Sequence, residues 1–143
     1  MDVIAMLEPI FRQYLDEIDQ VMRTKKFGDG LFGMPGGPKD DPCHDHFDKS
    51  VSDAVKQLVE DGVSGGEAAA AVEYLLHSQS LDQGVECAYW MLLAVHRHSL
   101  PLIPLMAEER AKPLLDWYTA VYPRAKRFPV QNDVIKALKR RAK

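Results

Sequence analysis

The sequence predicts an all-α protein, and three observations lead to this prediction. Apolar residues recur every three or four positions along most of the chain, as on one face of an amphipathic helix. Prolines and glycines interrupt this pattern at positions typical of helix ends. No stretch reads convincingly as a half-buried strand, in which apolar and polar residues alternate. We therefore predict an irregular bundle of five or six helices in one domain, residues 1–143.

A short HEAT-like helical solenoid is the alternative arrangement. Two pairs of predicted helices begin near Cys43 and near Gly84, which are 41 residues apart. This spacing is close to the period of HEAT-like repeats. Because the two units share no matching residue pattern, we favour the bundle.

The first predicted helix runs from Val3 to Met22, where apolar residues follow the helical period. Pro9 has no amide hydrogen to donate to the carbonyl of Ala5, so the helix either begins at Pro9 or is kinked there. Residues 27–41 follow with five glycines and two prolines, which predicts a long loop. Such long loops are uncommon in compact domains unless they are functional or mobile.

The second predicted helix begins at Pro42 and ends at Gly62. Asp41 is a suitable N-cap because its carboxylate can accept a backbone amide, and proline is well tolerated at the first helical position. Glycine is frequent just past the end of a helix, where the backbone often adopts a positive φ.

Capping boxes predict where the next two helices begin. Ser64 with Glu67, and Ser80 with Gln83, have the three-residue spacing of this motif. The second of these helices continues to about His98 and is apolar on nearly all sides. We therefore predict that it is the central, buried helix.

The last third of the chain predicts a break and two more helices. Two prolines within Ser99–Pro104 predict the break. A helical pattern then extends to Tyr122, with a kink or a fresh start at Pro113. A short amphipathic helix is predicted from Asp133 to about Arg141.

The chain is acidic over most of its length and basic at its end. Residues 1–123 carry 10 Lys or Arg against 20 Asp or Glu, a net charge of −10, and residues 124–143 carry 8 against 1, a net charge of +7. The longest nearly apolar run is far shorter than the roughly 18 residues that span a membrane, so we expect no membrane partner. We see no export signal and expect the two distant cysteines to be reduced, which favours the cytoplasm.

Thiol, imidazole and carboxylate groups, which are typical ligands of transition metals, occur together in residues 40–48. His44 and Asp48 lie one turn apart on the predicted helix and could supply half of a metal site. The other half would come from elsewhere, and the candidates are Glu86, His77, His96 and His98. Because this ligand set is incomplete, we expect no cofactor and keep a transition metal ion as the alternative. The simpler interpretation places Cys43 in the core and the neighbouring histidines on the surface, and assigns the other three histidines to helix capping.

Two segments are candidate partner-binding elements. The first is the loop at residues 27–41, because a purely solvated linker would not need its apolar residues Leu31, Phe32 and Met34. The second is the basic segment 124–143, whose first cluster consists of Arg124, Lys126 and Arg127. Such cations can neutralise phosphates, but the acidic body and the absence of a recognisable nucleic-acid-binding module argue against nucleic acid.

No complete set of reactive side chains is evident in the sequence. Our first hypothesis is therefore a non-catalytic, cytoplasmic helical protein that binds a protein partner, which includes a second copy of itself. One alternative is a metal-binding helical protein or an enzyme that uses Cys43–Asp48. The other is a helical nucleic-acid-binding regulator that uses the basic segment 124–143.

Overall fold

A computed structural model describes residues 2–24, 42–77 and 86–142. It describes residues 21–24, 42 and 86–90 by their backbone alone. The described residues form six α-helices and no strand, which confirms the all-α prediction for this part of the chain. The α-helices are α1 (Val3–Thr24), α2 (Pro42–Asp61), α3 (Gly65–Leu76), α4 (Glu86–His98), α5 (Glu108–Val121) and α6 (Pro129–Arg141). Two short 3₁₀ helices, Ile103–Leu105 and Arg124–Lys126, lie before α5 and before α6.

The helices pack as two rows. The first row consists of α1, α3 and α5, and the second row consists of α2, α4 and α6. Each helix contacts the next one in its row. Across the rows, α1 packs on α2, α3 on α4 and α5 on α6. The three helices of the second row begin at residues 42, 86 and 129, so their starts are 44 and then 43 residues apart. In the first row, the starts of α3 and α5 are also 43 residues apart. The bundle therefore also has the pairwise stacking and the period that the HEAT-like alternative predicts.

The first two helices begin and end where local chemistry favours it. The amide of Ala5 donates to Asp2 Oδ1 at 3.1 Å, and α1 then continues through Pro9 without a new start. As predicted, α2 begins at Pro42, and Gly62 follows its last residue with a φ of 73°. The predicted cap Asp41, the loop at residues 27–41 and the Ser80–Gln83 capping box lie outside the described residues.

Helix α3 has the most completely buried side chains of the described helices. All six of its buried residues have no exposed surface, and they are Ala68, Ala69, Ala71, Val72, Leu75 and Leu76. Its small residues allow the first row to pack closely on both sides, against α1 and α5. Gly65 begins this helix against the backbone of Ala107, whose amide donates to the Gly65 carbonyl at 2.9 Å.

The predicted capping box at the start of α3 is confirmed. The amide of Glu67 donates to the Ser64 hydroxyl at 3.2 Å, and the amide of Ser64 donates to a Glu67 carboxylate oxygen at 2.9 Å. The bond from the Ser64 amide is the largest of several effects that together lower the pKa of the Glu67 carboxyl to about 2. The Glu67 carboxylate therefore stays charged, as an acceptor of the box, at neutral and mildly acidic pH.

Removing this cap should lower the stability of the whole domain. We expect Ser64→Ala to reduce the free energy of unfolding by about 1 kcal/mol, because the amide of Glu67 loses the side-chain oxygen that accepts its hydrogen bond. Urea denaturation followed by circular dichroism measures the change. Ser52→Ala, on the partly buried middle of α2, is the control, and an equal loss in both variants would contradict the role of the cap.

Helix α6 begins earlier than the sequence predicted. The predicted start was Asp133, whereas the helix begins at Pro129. Gln131 caps this end, because its side-chain oxygen accepts the amide of Phe128 at 3.0 Å. Proline at the first helical position fits, since its missing amide hydrogen would have no acceptor there.

Candidate functional site

A cleft of about 510 Å³ crosses the second row of helices. Helix α4 supplies four of its nine lining residues, and the starts of α2 and α6 supply the other five. Its lining residues are Asp45, Asp48, Met91, Leu93, Ala94, Arg97, Phe128, Pro129 and Val130. Because these residues come from three distant parts of the chain, the cleft exists only in the folded protein.

Most of the residues that line the cleft are apolar. Leu93 and Val130 are nearly buried in its walls, whereas Phe128 is 42% exposed at the start of α6. An exposed phenylalanine loses contact with water when a partner covers it, and aromatic side chains of this kind are common anchors in protein interfaces. The backbone amide of Phe128 donates to Gln131 at the cap of α6, so the cap does not depend on the Phe128 ring.

Charged groups of both signs lie at the edge of the cleft. His98 Nε2 lies 2.7 Å from Asp48 Oδ1, so one of the two acidic side chains already has a partner within the domain. Asp45 is exposed on the first turn of α2, where the helix dipole favours an acid. Arg97 is exposed on α4 and gives the cleft a cation.

The predicted basic cluster divides into a structural residue and two exposed residues. Arg127 donates from Nε to the carbonyl of Tyr122 at 2.8 Å and thereby holds the turn between α5 and α6. Arg124 and Lys126 are exposed on the 3₁₀ helix that leads into Phe128. The two exposed cations therefore lie next to the cleft in the chain, and Arg127 is better understood as part of the scaffold.

The two predicted metal ligands have different surroundings in the structure. His44 is buried rather than at the surface, and its ring packs edge-on against Tyr14 at a centroid distance of 5.7 Å. Asp48 contacts His98, one of the candidates for the other half of the site. Within residues 2–24, 42–77 and 86–142, no three His, Cys, Asp or Glu side chains are grouped to hold an ion. The metal site stays a prediction, and two of its candidate ligands, Asp48 and His98, are in contact.

The remaining helix-end histidines contact aromatic side chains. His77 stacks on Trp117 at a centroid distance of 3.6 Å. His96 is completely buried, and its Nδ1 lies 2.9 Å from the Tyr118 hydroxyl. The His96 ring therefore lies in the core between α4 and α5 and is not at the exposed end of its own helix.

A second hollow, of about 370 Å³, lies on the outer side of α1 and is a weaker candidate. Its polar side chains bond to neighbours one turn away on the same helix. Arg12 pairs with Glu8, and Gln13 donates to Glu17 at 3.0 Å. Such pairs are typical of a solvated helix surface.

The predicted loop residues Leu31, Phe32 and Met34 lie outside the described residues. Sequence reasoning missed Phe128 and the cleft altogether. The signal for Phe128 was the sequence Phe128-Pro129, which marks a helix start preceded by a large apolar residue that no helical stripe requires. No such signal exists for the cleft, because it depends on how α2, α4 and α6 stack.

Among the described residues, no helix is both long enough and apolar enough to span a membrane. The chain matches no protein family, no curated protein and no solved structure.

Proposed function

We propose that this domain is a non-catalytic interaction protein that holds a segment of a partner protein in the cleft across α2, α4 and α6. The observation that carries the proposal is the exposed ring of Phe128 beside an apolar cleft of about 510 Å³. A volume of this size is within the range of about 300 to 1,000 Å³ that is typical of ligand-binding pockets.

The arrangement of the helices supports the same proposal. Stacked helical pairs commonly bind extended partners along the surface formed by one row of helices. Here the cleft lies on one row, α2, α4 and α6, and each helix of that row contributes to it. Stacking alone does not determine function, so the proposal depends on the side chains of the cleft.

The cytoplasm is part of this proposal. Cys43 is buried in the apolar core, as a reduced cysteine commonly is. The two distant cysteines and the short apolar runs of the sequence are the other grounds for this localisation.

A photo-reactive phenylalanine analogue at position 128 tests the proposal. We expect light to link the intact protein to a discrete partner, in its own cells, through a segment that mass spectrometry identifies. The control carries the same analogue at Val59, which is 40% exposed. Val59 lies 11 residues beyond Asp48 on α2, about 16 Å along the helix from the cleft.

Two results would contradict the proposal. One is the absence of any discrete product from position 128. The other is the same set of products from positions 128 and 59, which would show that the links report general exposure and not the cleft.

A further inference from the structure

We infer that the segment held in the cleft is acidic, with an apolar side chain beside Phe128 and carboxylates facing Arg97, Arg124 and Lys126. This inference rests on the proposed function and adds the chemistry of the partner to it.

The three cations lie in or next to the cleft. Arg97 lines it directly. Lys126 precedes Phe128 by two residues, so the backbone places them at most about 7 Å apart, and Arg124 lies two residues further away on the 3₁₀ helix. If one residue of a partner segment covers the Phe128 ring, residues a few positions away in that segment therefore reach these cations.

These cations are also available to a partner. Arg97, Arg124 and Lys126 are exposed, and none of them makes an ion pair with the described part of the chain. By contrast, Arg127 is bonded to the Tyr122 carbonyl, and Arg141 donates to the Met106 carbonyl at 2.7 Å. The fold thus uses two arginines of the basic segment internally and leaves the cations beside the cleft exposed.

The acids of the cleft only partly oppose this charge. Asp48 is bonded to His98 and Asp45 is stabilised by the first turn of α2, so two carboxylates stand against three exposed cations. The start of α6, at Pro129 and Val130, adds the positive end of a helix dipole to the same wall. The local balance therefore favours an anionic occupant.

The charge on the rest of the protein directs an acidic segment towards this cleft. Residues 1–123 carry a net charge of −10, so an acidic segment is repelled from most of the surface and attracted to the region that leads into Phe128. Charge of this kind mainly determines which partner binds and how fast, whereas apolar burial supplies most of the affinity. The two contributions can therefore be separated by experiment.

Selection from a display library of random 16-residue peptides tests the inference on the full-length protein. We expect selected peptides to be rich in Asp and Glu and to contain at least one Leu, Phe or Trp. Their affinity should fall at least tenfold in the double variant Arg124→Glu, Lys126→Glu, and it should fall with rising salt.

The matched control is Lys136→Glu, Lys139→Glu. It makes the same change in net charge at two exposed positions of α6. These positions are six and nine residues beyond Val130, about 9 and 14 Å along the helix. Phe128→Ala tests the apolar anchor, and the cap of α6 survives this change because Gln131 bonds to the backbone of residue 128. Circular dichroism of each variant verifies that the fold is intact.

The outcomes distinguish the two proposals. Peptides that depend on Phe128 but carry no excess of acid, or that bind equally well after both charge reversals, would overturn the inference and leave the cleft as a binding site. Peptides that ignore Phe128→Ala, or a library that yields no binder, would overturn the proposed function itself.

Discussion

Leu75→Ala should cost about 2 to 5 kcal/mol of folding stability, because the substitution leaves a cavity in a completely buried site. Leu75 lies in the middle of the first row, on α3, which packs against α1, α4 and α5. Neighbours on several sides are held by their own packing and can move little to fill the space. Urea denaturation of the purified variant measures the loss.

Two further substitutions make this test specific. Leu105→Ala removes the same atoms at a site that is 39% exposed, and its cost should stay within about 0.5 kcal/mol. Leu93→Ala, in the wall of the cleft, should fall between the two, because one side of the vacated space opens to the cleft. Equal costs for Leu75→Ala and Leu105→Ala would show that α3 is not the centre of the core.

This ranking of the helices by burial differs from the one that the sequence predicts. The pattern of apolar residues indicates that the helix ending near His98 is the best buried, and α4 is indeed in the middle of its row. However, Leu93 faces the cleft, and the described side chains of α4 include the partly buried Met91 and Ala94. Periodicity measures how apolar a helix is, but an apolar side chain can line a binding surface as well as a core.

Local signals in the sequence were reliable. The Ser64 and Glu67 capping box, the helix start at Pro42 and the turn at Gly62 are all present, because each depends on atoms a few residues apart. The start of α6 was missed because its cap is a glutamine side chain that accepts the amide of Phe128, and no serine or aspartate marks the position. A cap of this kind has a weaker signature in the sequence.

Long-range contacts could not be assigned from the sequence, although His98 was one of four candidate partners for Asp48. The pairs His98 with Asp48 and His96 with Tyr118 join residues that are 50 and 22 positions apart. Their partners depend on how helices of the two rows stack, and the sequence contains no direct record of that register. His44 shows the same limitation, since its burial depends on the ring of Tyr14 on another helix.

Acid should destabilise the protein through His96 well before most carboxylates are protonated. Burial lowers the pKa of His96 to about 4, from an ordinary value of 6.5, and the carbonyl of Leu76 only partly opposes this effect. Between these two values the unfolded chain binds a proton at residue 96 and the folded protein does not. Stability is therefore complete above about pH 6.5 and falls as the pH decreases towards 4.

The expected loss at this residue is about 3 kcal/mol over that interval, since each pKa unit corresponds to about 1.4 kcal/mol. Urea titrations at a series of pH values measure it for wild type and for His96→Asn, whose amide does not titrate and can still bond to the Tyr118 hydroxyl. The difference between the two proteins removes the contribution of the carboxylates, which both share. His46→Asn, at an exposed position of α2, is the control and should follow wild type. If His96→Asn lost stability with acid as steeply as wild type, the buried imidazole would not be the group that responds.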